Sequence, residues 1–92
     1  MHASKAVNIG APYWMREIRG VLRPVVERYL HGEELGARDI VVMRAYLRQW
    51  IFADGFIGDE IVDLRADVDR ITDQRSLTRW LERAMDAGVD PL

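Results

Sequence analysis

Residues 35–52 read LGARDIVVMRAYLRQWIF, an almost continuously apolar stretch in the middle of the chain. Its main apolar stripe follows the three- and four-residue steps of an α-helix: Ile40, Met43, Leu47, Trp50 and Ile51. The other faces of the same helix carry four more apolar residues, Val41, Val42, Tyr46 and Phe52. Because a helix that is apolar almost all round is buried on several sides, we expect this to be the central helix of the fold.

The start of this helix is marked by its own residues. With Gly36 as N-cap, the carboxylate of Asp39 falls in the first turn, where it favours the positive end of the helix dipole. Leu35 and Ile40 then have the spacing of a hydrophobic staple.

The preceding helix should begin near Pro12 and end before Gly32. Its apolar face is formed by Trp14, Ile18, Val21, Leu22, Val25 and Tyr29. Pro24 interrupts this pattern, because its ring collides with the carbonyl group four residues earlier, at Gly20. We therefore predict a kink, or a break into two short helices, near residues 20–24.

Two further helices follow the central one. A third runs from about Asp59 to Ile71, with Ile61, Leu64 and Val68 on the same apolar stripe. Before it, the turn around Gly55 and Gly58 carries the expected core anchors Phe56 and Ile57.

The fourth helix is expected to start after a cap at Thr72 or Asp73. Its predicted buried side consists of Leu77, Trp80, Leu81, Ala84 and Met85. Gly88 should end it, and Val89 should pack back on the last turn.

These patterns predict an all-α protein: a compact bundle of four helices, or five if the first breaks at Pro24. Consecutive helices should be roughly antiparallel because the loops are short. We expect residues 1–10 to be a flexible N-terminus and residues 11–92 to form a single helical domain.

Composition favours a soluble, cytoplasmic protein that is not an enzyme acting alone. The chain has no cysteine, no signal-peptide pattern and no bilayer-spanning apolar run. His2 and His31 have no nearby catalytic companions, and His31 is explained by favourable charge at a helix end. Ser76 and Thr78 lack a histidine partner. We expect no catalytic residue, no metal and no cofactor.

A row of carboxylates at Asp59, Asp63 and Asp67 recurs every four residues along the third helix. It could hold a hard cation, but Mg²⁺ sites usually draw ligands from more than one element. A solvated helix face, with ion pairs Arg65–Asp69 and Asp67–Arg70, is the favoured interpretation.

Arg75, Arg79 and Arg83 form a basic stripe on the fourth helix. With Gln74 and Ser76 reaching base edges, they would suit a helix-turn-helix DNA-binding regulator. The acidic helix beside them and the net charge of −2 oppose that function. Interhelical ion pairs are the simpler explanation.

Protein binding is the function class that remains. Charge is segregated, +3 over residues 1–48 and −5 over residues 49–92, which would suit pairing of two copies in a homodimer. Trp50 and Trp80 are expected in the core. The candidate partner-binding residues are Tyr13, Trp14 and Arg16 together with Asp59, Asp63 and Asp67.

The leading hypothesis is a small helical protein–protein interaction or accessory module that regulates its partner. The alternative is an acidic-faced inhibitor of a nucleic-acid-handling complex, by analogy with small phage-encoded inhibitors. A DNA-binding regulator comes third.

Overall fold

The computed structural model describes the backbone of residues 13–53 and 55–92 and the side chains of residues 20–53 and 55–92. All regular structure in these residues is helical. The elements are α1 (Tyr13–Leu30), α2 (Ala37–Ile51), α3 (Asp59–Asp67), the 3₁₀ turn η1 (Val68–Arg70) and α4 (Gln74–Asp86). The predicted all-α bundle of four helices joined by short loops is confirmed. No helix in this part of the chain is long and apolar enough to cross a lipid bilayer. The predictions for residues 1–10 and for Pro12 fall outside the described residues.

Helix α2 is the central element, as predicted from its sequence. It packs against α1, α3, η1 and α4. Its buried residues form the middle of one core cluster: Ile40, Met43, Leu47 and Ile51. At its start, the Gly36 amide donates to Asp39 Oδ2 at 3.2 Å, and Arg28 Nη2 lies 2.7 Å from Asp39 Oδ1. The first-turn carboxylate therefore caps α2 and ties it to α1.

Helix α1 continues through Pro24 without a break, so the five-helix alternative is wrong. Leu22 and Val25, on either side of the proline, are both buried in the core. The packing of these residues holds one helical path across a position where a single backbone hydrogen bond is lost. Val21 was expected on the buried face but is exposed, because it lies about 100° around the helix from Leu22.

The loop between α2 and α3 buries one of its two expected anchors. Phe56 is half-buried and its ring centroid lies 4.7 Å from that of Trp50, which is itself half-buried against the core. Ile57 is 91% exposed, so the prediction for this residue is wrong. Gly55 and Gly58 both have positive φ, and the chain turns so sharply between them that only one neighbouring side chain faces the core.

The third helix buries all four predicted residues, Ile61, Leu64, Val68 and Ile71. Its α-helical part ends at Asp67, however, and η1 carries the chain onward to Arg70. The tighter turn brings Ile71 to the end of the element, where its carbonyl accepts from Arg44 Nη1 at 2.8 Å.

Helix α4 begins after an N-cap at Asp73, whose carboxylate accepts from the Ser76 amide at 2.8 Å. Its buried face carries Leu77, Trp80, Leu81 and Ala84. Trp80 Nε1 donates to the Leu64 carbonyl at 3.0 Å, which joins α4 to α3 inside the core. Met85 was predicted on this buried face and is 62% exposed, so that assignment is wrong.

Candidate functional site

An apolar groove lies between the C-terminal turn of α1 and the C-terminal half of α4. The last residues of the chain close one side of it, and its volume is about 510 Å³. We call it the α1–α4 groove. Its lining residues are Tyr29, Leu30, Thr78, Leu81, Glu82, Met85, Asp90, Pro91 and Leu92.

Three large apolar side chains of this groove are open to solvent. Leu30 is 63% exposed, Met85 is 62% exposed, and Leu92 is exposed beside them. Tyr29 and Thr78 line the groove with their hydroxyl oxygens 2.8 Å apart, so these two groups hydrogen-bond to each other. The groove therefore presents mainly apolar atoms, and its two hydroxyl groups already have a partner.

The walls of the groove end at two glycines with positive φ, Gly32 and Gly88. After α1, the Gly32 amide donates to the Tyr29 carbonyl at 3.0 Å and the Glu33 amide to the Arg28 carbonyl at 3.0 Å. After α4, Gly88 and Val89 repeat the same two bonds. These are Schellman endings, and they confirm the two predicted stops. They place Leu30 and Met85 in the last turns of their helices.

The C-terminal segment is held across the bundle by a tyrosine from α2. The Tyr46 hydroxyl donates to the Pro91 carbonyl at 2.7 Å. Pro91 and Leu92 also border a second cavity of about 740 Å³ beside α1. Its other lining residues are Gly20, Leu22, Arg23, Val26, Glu27 and Tyr46. The anchored segment, Pro91 and Leu92, thus borders both the α1–α4 groove and the second cavity, and both of these lie against α1.

The three carboxylates of the predicted acidic row have different surroundings. Asp67 Oδ2 lies 2.7 Å from Arg83 Nη1, and Asp67 Oδ1 lies 3.6 Å from Arg70 Nη1. Asp63 lines a separate cavity of about 370 Å³ in which Glu60 and Asp86 are the other carboxylates. Asp59 is exposed in the first turn of α3. Among the described residues, no three acidic or histidine side chains are grouped so that they could hold a metal ion.

The three arginines of the basic stripe on α4 also lie in different surroundings. Arg83 of α4 pairs with Asp67 of α3, an ion pair of the interhelical kind that was expected, although its members were not predicted. Arg79 lines a small cavity that Asp67 shares, whereas Arg75 borders a different cavity next to Glu34 and Asp73.

The polar residues at the start of α4 are also engaged. Gln74 accepts from the Leu35 amide at 2.8 Å and donates to the Glu33 carbonyl at 3.1 Å. Ser76 donates to the Asp73 carboxylate at 2.8 Å. The residues that were candidates for base contacts therefore hold the fold together.

Asp73 is the described group whose pKa is shifted. The backbone amide of Ser76, then its hydroxyl, lower the pKa of this carboxyl below its ordinary value. Because Asp73 is the N-cap of α4, this shift belongs to the structure of the helix rather than to a catalytic centre.

The predicted pair Arg65–Asp69 is replaced by other contacts. Arg65 Nε donates to the Ile51 carbonyl at 2.8 Å, at the C-terminal end of α2. Asp69 pairs with Arg48 instead, with its Oδ2 atom 3.4 Å from Arg48 Nη1. The guanidinium carbons of Arg48 and Arg65 lie 4.8 Å and 5.5 Å from the ring centroid of Phe52. We call these three residues, Phe52, Arg48 and Arg65, the Phe52 corner.

Three of the candidate partner-binding residues, Tyr13, Trp14 and Arg16, have backbone within α1. Their side chains lie outside the described residues, and these candidates stay predictions.

The groove residues Leu30, Met85 and Leu92 were not among the predicted site residues. Leu30 follows Tyr29 and Met85 follows Ala84 in the sequence, so each lies about 100° from a residue that faces the core. That offset is the one sequence signal that could have marked them as edge positions.

The groove, the acidic row and the Phe52 corner are thus defined by the residues of this chain and their contacts. Comparisons of the chain with protein-family models, with curated proteins and with solved structures found no match.

Proposed function

We propose that this chain is a small helical protein–protein interaction module, accessory or regulatory in kind, that docks its partner on the α1–α4 groove. The observation that carries the proposal is the exposed apolar surface of Leu30, Met85 and Leu92 around one concave site. Exposed apolar residues that are contiguous and concave are typical of binding surfaces.

Covering this surface supplies part of the free energy that a specific complex needs. Complete burial of an exposed leucine or methionine stabilises a complex by roughly 1.5–3 kcal/mol. Since Leu30 and Met85 are 63% and 62% exposed, covering both contributes about 2–4 kcal/mol. That corresponds to a change of roughly 30-fold to several hundred-fold in a dissociation constant.

The groove is also held in shape before a partner arrives. Both helical walls end in hydrogen-bonded Schellman turns, and Tyr46 anchors the segment at Pro91. A preformed site spares the complex the entropy of ordering its loops. These contacts support docking on an existing surface rather than folding on binding.

Each of the other two functions considered from the sequence relies in part on a residue that is paired within the fold. Asp67 of the acidic row and Arg83 of the basic stripe pair with each other. A phosphate-like acidic surface or a phosphate-binding arginine stripe would have to separate them. This pairing favours the groove over both alternatives.

Capture from extracts of the source cell tests the proposal, with the full chain compared in three forms. The wild type is compared with Leu30→Glu/Met85→Glu and with Val41→Glu/Val62→Glu. Val41 and Val62 are 51% and 63% exposed and lie outside the groove lining, so they match the groove residues in exposure. We expect a partner that is retained by the wild type and the control and is lost from the groove variant.

The captured partner is then purified and titrated calorimetrically against the same three proteins. We expect the groove variant to bind at least about tenfold more weakly. A partner that binds the wild type and the groove variant equally would overturn the assignment of the groove.

A further inference from the structure

Resting on the proposed function, we infer that the partner docks as an amphipathic α-helix whose apolar face is flanked by arginine or lysine. The inference names the chemistry of the occupant. It follows from the apolar lining of the groove, from its acidic side chains and from the lack of a strand edge among the described residues.

The first argument concerns the partner's backbone. An extended peptide needs an exposed strand edge, or other free donors and acceptors, to pair its amides and carbonyls. The described residues contain no strand, and the hydroxyls of Tyr29 and Thr78 bond to each other. Amides and carbonyls that stay unpaired in the groove would cost binding free energy. A partner whose backbone hydrogen bonds lie within its own chain avoids this cost. An α-helix does so internally.

The second argument concerns shape. The groove lies between two helical walls, the last turn of α1 and the C-terminal half of α4. Side chains of a third helix fit between such walls as ridges into a groove. Apolar residues spaced at three- and four-residue steps on the partner would contact Leu30, Met85 and Leu92.

The third argument concerns charge. The charged side chains lining the groove are Glu82 and Asp90, both exposed and both acidic. The arginines nearest to Glu82 along α4, Arg79 and Arg83, line the cavity on the α3 side instead. Within the described residues, neither Glu82 nor Asp90 has a cation within 4.0 Å. Asp90 Oδ1 accepts from the Leu92 amide at 3.1 Å, a neutral partner that leaves its charge uncompensated. An acidic rim without a paired cation selects a basic ligand.

The test uses two synthetic 18-residue peptides with leucine at the same helical positions. One has lysine and arginine at the flanking positions and the other has glutamate. Each is titrated against the full chain by fluorescence anisotropy, and circular dichroism follows helix formation. We expect the basic peptide to bind at least tenfold more tightly and to become helical. The difference should shrink at high salt because exposed charges are screened.

Two charge-reversal variants provide matched controls. Glu82→Lys/Asp90→Lys should lose the preference for the basic peptide or reverse it. Asp59→Lys/Asp63→Lys changes the net charge by the same amount at exposed positions on α3 and should keep the preference. If the second variant loses the preference and the first keeps it, the acidic row is the binding surface and the inference is wrong.

The remaining outcomes separate this inference from the proposed function. If both peptides bind equally and binding is lost in Leu30→Glu/Met85→Glu, the groove docks apolar ligands and the charge argument fails. If neither peptide binds while capture of the partner still depends on the groove, the inference that the partner docks as a helix with basic flanks is wrong and the proposed function stands. Light scattering that shows a wild-type dimer, absent in the groove variant, would identify a second copy as the occupant and overturn the inference.

Discussion

The α1–α4 groove and the Phe52 corner both expose large apolar side chains, yet their surroundings differ. At the corner, Phe52 is 49% exposed and two guanidinium groups lie near its ring. One of them, Arg65, also caps a carbonyl at the end of α2. In the groove, Leu30 and Met85 are more exposed and the charged residues beside them are carboxylates.

This difference bears on function. A guanidinium packed against an aromatic ring covers apolar surface and gains from the ring's negative face. The Phe52 corner thus stabilises the free protein through its own contacts. Among the described residues, no arginine or lysine lines the groove, and covering its apolar surface is a gain that a partner can provide. Exposure of apolar groups alone does not distinguish the two regions; the neighbouring charged residues do.

Both regions rest on one core, and the largest expected effect comes from opening it. Leu47→Ala removes a fully buried side chain from α2. We expect the free energy of unfolding to fall by about 2–5 kcal/mol, from lost burial and the remaining cavity. Urea unfolding measures the loss, and hydrogen exchange should show weaker protection at both regions. Gln49→Ala, exposed on the same helix, is the control and should change little.

Truncating the apolar side chain in each region tests the comparison directly. Phe52→Ala should cost about 1–2 kcal/mol, because half of the ring is covered and its contacts with two guanidinium groups are lost. Met85→Ala should change stability by less than about 0.5 kcal/mol, since the side chain contacts little in the free protein. Chemical unfolding of the two variants measures both values. Equal losses would contradict the claim that only the corner is internally covered.

A double-mutant cycle sharpens the account of the corner. Arg65→Met keeps an aliphatic side chain but removes the charge and the bond to the Ile51 carbonyl. We expect Arg65→Met to lower the free energy of unfolding by about 1 kcal/mol. Its interaction energy with Phe52→Ala should be roughly 0.5 kcal/mol. Arg70→Met, at a side chain that is 83% exposed, is the matched control. Strict additivity of the Arg65 and Phe52 changes would show that the guanidinium does not stabilise the ring.

The smallest effect concerns how the stability of the protein depends on pH through the N-cap of α4, the helix that forms one wall of the groove. The Ser76 amide lowers the pKa of Asp73 below its ordinary value of 3.8, so folding favours the ionised cap. Its contribution to stability is therefore present above about pH 4 and is lost as the pH falls through the lower folded pKa. Asp73→Asn keeps a capping oxygen without the titration. We expect its stability to fall less steeply than that of the wild type below about pH 4, in urea unfolding series.

Much of the fold follows from local sequence patterns. The central helix with its N-cap at Gly36 and the two glycine stops were predicted correctly. Asp73, the N-cap of α4, was one of the two residues proposed for that cap. Each depends on residues within a few positions of one another. Local sequence left a kink or a break open at Pro24, and the helix does not break, because the packing of Leu22 and Val25 against the rest of the bundle outweighs a local penalty.

The candidate site was predicted far less well. The carboxylates of α3 and the arginines of α4 have helical spacing, but their spacing does not reveal that Asp67 and Arg83 pair across the two helices. Met85 fits the apolar stripe of α4, and only the position of α1 determines that this end of the stripe is uncovered. Leu92 lies 62 residues after Leu30 in the chain, so nothing local connects them.

The sequence by itself determined that the chain is helical, where most helices begin and end, and which residues form most of the core. These features depend on periodicity and capping, which act over one or two helical turns. Only the tertiary structure decided which apolar residues stay uncovered and which charges neutralise each other. Those outcomes depend on how the helices pack, which is a property of the whole bundle. The acidic-rimmed groove between α1 and α4 is the result of that packing.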